Sequence, residues 1–250
     1  MKTTRQGPRL PRARTPARPP RAEATRLELL LAAEKLFALH GMMGVSLRQI
    51  VAATQQRNLS TVHYHFGSRE ALAHAICDLR MPPIEAERAE RLARFAEHPP
   101  APAGRPVELL RILAEPSARP IFDSRGRSHF RRMLAHTFVS SAVDLPAYFI
   151  DRYDTNIRVI AGLMRQALPH LSAETFGMRW KLLIRAITYE LASMETRAEQ
   201  LSWRKGEPML EKEIDAMAAA FAGFFAAPDE TKVHRSAAAT KTHTPRRRTK

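Results

Sequence analysis

From Thr25 to Leu72 the chain is punctuated by helix start and stop signals, so this stretch can fold only into short helices meeting at sharp turns. Thr25 stands three residues before Glu28, and Ser46 three before Gln49. Both pairs read as capping boxes, in which a hydroxyl and a carboxylate or amide satisfy the free N–H groups of a helix start. Gly41 follows an apolar-periodic run (Leu29, Leu30, Ala33, Leu36, Phe37) and is the natural left-handed end of that helix. Leu47, Ile50 and Val51 give the second helix one apolar edge. A third, very short helix turns Val62 and Phe66 inward and leaves Ser60, Thr61, His63, Tyr64 and His65 on its outer side. A helix–turn–helix with such a face fits the major groove of DNA.

These residues resemble the DNA-binding domain of the TetR family of transcriptional regulators. The resemblance rests on Thr25-Arg26, Ala32-Ala33, Leu36-Phe37-Ala38, Gly41, Ser46, Ile50 and the closing run Tyr64-His65-Phe66-Gly67-Ser68-Arg69-Glu70-Ala71-Leu72. It covers the first helical domain. Between Ile50 and Phe66 this chain is one residue longer than the commonest pattern, with Gln55-Gln56-Arg57-Asn58 in place of Ala-Gly-Val-Ser. A subset of the family has a similar Gln-Arg-Asn turn. The resemblance implies an all-α chain: an N-terminal three-helix domain with the helix–turn–helix, joined by helix 4 to a C-terminal helical domain for ligand binding and dimerisation. It further implies a bacterial cytoplasmic homodimer that binds double-stranded operator DNA as a repressor, released by a small-molecule effector.

Chemistry divides the expected DNA contacts. Ser60, Thr61, His63 and Tyr64 can reach base edges or phosphates, and Arg57 and Asn58 at the turn can do either. Thr25 and Arg69 stand at expected helix starts, where N–H groups and positive charge meet phosphate. Arg48 is a backbone-contact candidate, and His65 a partly buried aromatic contact. His63 and His65 are two apart on a helix and point to different faces, so they do not form a metal pair. HExxH, GxSxG, phosphate-loop and GxGxxG patterns are all missing, and neither catalysis, metal nor cofactor is expected.

The net charge of +15 is unevenly placed. Residues 1–24 hold seven Lys/Arg against Glu23 (+6), and residues 229–250 hold seven against Asp229 and Glu230 (+5), which leaves +4 for the other 204 residues. Prolines interrupt the first tail and apolar residues are too sparse to fold it. We therefore expect disordered basic arms at 1–23 and 229–250, a DNA-binding domain at 24–80 and a helical effector and dimerisation domain at 81–228. The arms are either solvated ends or a source of non-specific DNA affinity. An architectural protein working through those arms, or an enzyme using the C-terminal pocket, are the rival readings. The single Cys77 suits a reducing compartment and reads as a small buried hydrophobe on helix 4. The longest apolar run, Ala216–Ala227, is 12 residues, too short to span a bilayer.

Alternating strand patterns are absent, and the remainder reads as helices at 107–114, 128–140, 146–168, 172–201 and 209–226. Ser68 and Ser172 are expected N-caps. Pro82-Pro83 predicts a kink or break in helix 4, and HPPAPAGRP (98–106) a linker. The last two helices carry more apolar surface than one core needs, which points to a twofold partner. Ile187, Leu191, Met194, Ile214, Met217, Phe221 and Phe224 are the expected interface, while Met178, Leu182, Ala186, Tyr189 and Ser193 form a second flank. Met133, His136, Phe138, Tyr153, Met164, Trp180 and Tyr189 are candidate effector contacts, His136 and Tyr153 foremost because a buried polar tip needs a partner.

Overall fold

The computed structural model describes residues 21–56, 59–125, 127–139, 145–200 and 203–229. Its elements are helices: α1 (Arg21–His40), α2 (Leu47–Ala52), α3 (Leu59–His65), α4 (Arg69–Glu97), a 3-10 turn at Pro102–Gly104, α5 (Arg105–Asp123), α6 (Phe130–Val139), α7 (Leu145–Tyr153), α8 (Thr155–Ala167), α9 (Ala173–Gln200) and α10 (Trp203–Ala226). Most of residues 1–23 and 229–250 lie outside the described residues. Where they are described, both ends differ from the expected arms. α1 starts at Arg21, and Asp229 is buried, accepting from the Ser172 N–H at 2.5 Å and the Thr175 hydroxyl at 2.7 Å. That carboxylate sits at the positive end of α9, where Ser172 Oγ also caps the Thr175 N–H at 3.2 Å.

Apolar side chains gather into two cores. The first joins Leu29, Phe37, Ile50, Val62, Leu72 and Ile76 with Phe130 and Met133 of α6. The second joins Leu109, Leu113, Ile160, Met164, Leu183, Leu191 and Phe225. Helix α4 belongs to both: Met81 and Ile84 enter the first, Leu92 and Phe95 the second. At 29 residues it spans roughly 44 Å at 1.5 Å per residue. Pro82 and Pro83 do not break it. Both prolines face solvent, while Met81 and Ile84 are each 2% exposed and hold the helix from its inner side. Each proline removes one backbone hydrogen bond and crowds the carbonyl four residues before it, a local cost set against the buried flanks. Helix α5 likewise continues through Pro116 and Pro120 to Asp123, past its expected end.

The helix expected at 146–168 is two, parted at Asp154, because its halves serve different neighbours. α7 rests on α4 and α8 on α5. Tyr148 donates to Asp78 Oδ1 of α4 at 2.6 Å, Tyr153 donates to the same oxygen, and His74 stacks on Tyr148 at 3.8 Å.

Buried polar groups join the two cores. Glu34 of α1, 2% exposed, accepts two bonds from Arg80 of α4 (2.8 and 3.2 Å) and one from the His129 N–H before α6 (3.1 Å). Glu195 of α9 accepts the backbone N–H groups of Arg131 (3.3 Å) and Arg132 (2.9 Å) in the first turn of α6. Burial raises the Glu195 pKa, against the hydrogen bonds from Ser128 and these amides. Arg131, buried and beside Arg88, is pulled down to about 9. Arg88 ties α4 to α5 through the Leu113 carbonyl at 3.0 Å and the Ser117 hydroxyl.

Candidate nucleic-acid interface

The two short helices are set by their ends. Ser46 caps α2, with Oγ accepting the Gln49 N–H at 3.3 Å and Gln49 Oε1 accepting the Ser46 N–H at 2.8 Å, the expected capping box. Gly41 ends α1 at φ +69 and Gly67 ends α3 at φ +75, both left-handed positions that suit glycine. Directly after Gly67, Ser68 Oγ accepts the Ala71 N–H at 3.1 Å and starts α4. Glu70 in that first turn is held below the usual carboxylate range by a backbone hydrogen bond and by the Ser68 hydroxyl.

The box expected at Thr25–Glu28 does not form, because α1 begins a turn earlier at Arg21 and Thr25 lies inside it. Glu28 reaches instead to the turn after α2, where its oxygens accept the Gln55 N–H at 2.5 Å and Gln56 Nε2 at 3.1 Å. It anchors the chain just ahead of α3. Sequence reasoning missed this, since a bond over 27 residues leaves no local pattern. Arg26, quoted only as part of a motif, lies over the Phe66 ring at 5.2 Å and brings a cation to the end of α3.

Val62 is fully buried, which fixes the rotation of α3 and leaves Ser60, His63 and Tyr64 exposed, Tyr64 at 85%. An aromatic left that bare adds nothing to the buried core. Phe66 and His65 are half-buried, and the His65 ring meets Tyr64 at 5.2 Å and Phe66 at 6.0 Å. Arg48 is exposed on α2. Arg69 is half-buried, donating from Nη1 to the carbonyls of Met43 and Val45 at 3.3 Å each, so it ties α4 to the α1–α2 turn. Arg57, Asn58 and the Thr61 side chain lie outside the described residues.

The candidate effector residues are scattered rather than gathered. Met133 lies in the first core and Met164 in the second. Trp180 stacks on Phe176 at 5.9 Å, and Phe138 and Tyr189 are exposed at 42% and 47%. Tyr153 already has its partner in Asp78, and His136 is exposed rather than buried. A groove of about 540 Å³ opens elsewhere, between α4 and α5, lined by Leu79, Pro83, Ile84, Pro116 and Pro120 together with the charged Arg80, Glu87, Arg119 and Asp123.

On α9 the expected partner face is covered by the chain itself. Ile187, Leu191 and Met194 are 7%, 1% and 1% exposed, and Ile214 of α10 is 4% exposed, all within the second core. Met217, Phe221 and Phe224 are half-buried against it. Met178, Leu182 and Tyr189 on the other flank are 46–51% exposed. Cys77 is buried as expected, and burial pushes its thiol pKa up. Among the described residues no helix is long and apolar enough to cross a membrane.

Residues 29–76 match the family model described as bacterial regulatory proteins, tetR family, and residues 111–227 match the tetracyclin repressor-like C-terminal domain. Among solved structures the chain is similar to NalD, the secondary repressor of the MexAB-OprM multidrug efflux pump in Pseudomonas aeruginosa. The identity is 21%, 76% of this chain and 95% of that one are covered, and the TM-score is 0.45. It is also similar to a structure described as the molecular basis for control of antibiotic production by bacterial hormones (20% identity, 78% and 95% covered, TM-score 0.44). No curated protein matches the sequence. The two family models together take in the helix–turn–helix and the helical domain that follows α4, and the chain belongs to the tetR family of bacterial regulatory proteins, as a transcriptional regulator.

Proposed function

We propose that this regulator is a cytoplasmic, non-enzymatic homodimer that reads an operator with α3 and is released from it by a small-molecule effector, and that it belongs to the branch with a Gln-Arg-Asn turn. The exposed face of α3, Ser60, His63 and Tyr64 around the buried Val62, is the observation that carries the reading. Ser60, Thr61, His63, Tyr64, Arg57 and Asn58 meet bases or phosphates in it, with Thr25, Arg48, His65 and Arg69 supporting backbone contact.

Two protomers meet through the outer flank of α9. Met178, Leu182, Arg185 and Tyr189 recur at helical spacing on one face, and α10 offers Ala216, Ala219, Ala220 and Gly223, exposed and small enough for close approach. The groove between α4 and α5 is of a size that holds a drug-like molecule. Leu79, Arg80 and Pro83 in its lining belong to α4, the helix that follows α3, and Arg80 also holds Glu34 of α1, so an occupant there touches the helix that continues from the reading head. An effector changes operator affinity only by favouring one arrangement over another.

Footprinting the purified full chain on its own upstream DNA, with and without residues 1–20 and 230–250, tests this. The expected result is protection of two related half-sites that survives removal of the tails. Binding without sequence preference that disappears with the tails would show an architectural protein instead.

A further inference from the structure

The turn between α1 and α2 reads His40-Gly41-Met42-Met43-Gly44 and closes against α6. Gly41 reverses the chain at φ +69, and a Cβ on Gly44 would stand 2.5 Å from the His40 carbonyl oxygen, so only glycine allows so tight a return. His40, Met42 and Met43 thereby share one small cavity, about 100 Å³, with His136 and Thr137 of α6. Nδ1 of His136 lies 3.9 Å from where a Cβ on Gly41 would be. The space suits an ion with a water or two, not an organic effector.

The donors decide which ion. The residues around the cavity carry two imidazoles, two thioethers and a hydroxyl, and among the described residues none that lines it carries a carboxylate. Calcium and magnesium need oxygen ligands, and structural zinc takes its ligands from Cys, His and carboxylates. Among the described residues no three His, Cys, Asp or Glu side chains stand together to hold such an ion. Thioether sulfur selects soft cations, copper(I) first among the biological ones, and imidazole is a good co-ligand.

We propose that this cavity binds one soft monovalent cation, copper(I) in chemical class, between the imidazoles of His40 and His136 and the thioethers of Met42 and Met43. The ion joins the entry turn of the helix–turn–helix to α6, whose first turn is held by Glu195 of α9. Resting on the operator-binding reading above, this makes the site a second input that shifts operator affinity independently of the groove between α4 and α5.

The test uses the full chain under anaerobic reducing conditions, with copper(I) competed against bicinchoninate. One ion per chain is expected. His136→Ala and Met43→Ala, both at exposed positions, should each weaken binding at least tenfold, as should Met42→Leu, which keeps the core volume. Cys77→Ser should bind as the parent does, silver(I) should compete and zinc(II) should not, and X-ray absorption should show mixed nitrogen and sulfur ligation. Unchanged affinity in His136→Ala and Met43→Ala, loss of binding in Cys77→Ser, or displacement by zinc(II) overturns the site. Operator affinity is then measured with and without copper(I). A shift in the parent that is absent from the His136→Ala/Met43→Ala double variant supports the input, and no shift in the parent overturns it. A chain that binds copper(I) at this cavity but no operator refutes the operator reading and leaves the metal site standing.

Discussion

Replacing Arg80 with Met should cost more stability than any other single loss of charge at the junction of α1, α4 and α6. Glu34 is 2% exposed, and of its three hydrogen bonds among the described residues two come from the Arg80 guanidinium, leaving the His129 amide once that is gone. Removing one partner of a buried pair typically costs about 3–5 kcal/mol, since the other charge stays buried and uncompensated. The Arg80 side chain is 25% exposed, so water can reach part of the site. We discount the cost to about 2–3 kcal/mol for that access. For a chain of this size that lowers Tm by roughly 5–10 °C. Glu34→Gln should cost less, about 1 kcal/mol, because the amide still accepts from His129 and the freed guanidinium can turn to water. In the double variant the buried charge is absent altogether, so the two losses should fall short of additive by 1 kcal/mol or more. Urea unfolding of all four proteins at one fixed concentration reads these values, the concentration held constant because a dimer's midpoint depends on it. If Arg80→Met lies within 0.5 kcal/mol of the parent, the bridge contributes nothing and the account of the junction is wrong.

Tyr64→Ala should leave the circular dichroism unchanged, since the ring is 85% exposed, yet weaken operator binding by about 1–3 kcal/mol if the phenol reads a base edge; equal loss on operator and random DNA in a gel-shift titration would reduce it to a phosphate contact. Leu182→Glu, at a position 46% exposed, should give a folded monomer by sedimentation, whereas Ile187→Glu, 7% exposed, should unfold the protomer. A stable dimer in Leu182→Glu moves the interface elsewhere. Burial raises the pKa of Asp78, but the hydroxyls of Tyr148 and Tyr153 and the charge of Arg152 outweigh it and hold the carboxyl below its ordinary value. Its contribution to stability is therefore present above an unfolded pKa of about 3.9 and is lost as pH falls through the lower folded value. Asp78→Asn should cost stability at neutral pH, with the gap to the parent closing towards pH 3; a gap that does not change with pH refutes the assignment.

Much of this protein was legible because its signals act over three or four residues. The caps at Ser46, Ser68 and Ser172, the left-handed Gly41, and the alternation of Val62 with the outer groups of α3 all operate within one helical turn, and each stands where the pattern placed it. What failed depended on distant neighbours. Thr25 and Glu28 satisfy the capping-box pattern, but an extra turn of helix removes the need for a cap and Glu28 binds the turn ahead of α3 instead. Pro82 and Pro83 carry a local penalty, and Met81 and Ile84, locked in a core assembled by several helices, keep α4 whole across them. The sequence shows that α9 is apolar on two sides. Only packing decides that Ile187, Leu191 and Met194 belong to the protomer and that Met178, Leu182 and Tyr189 are left facing outward. Periodicity records how many faces a helix must bury, whereas the burial partner is set by contacts across long stretches of chain, and no local pattern encodes them.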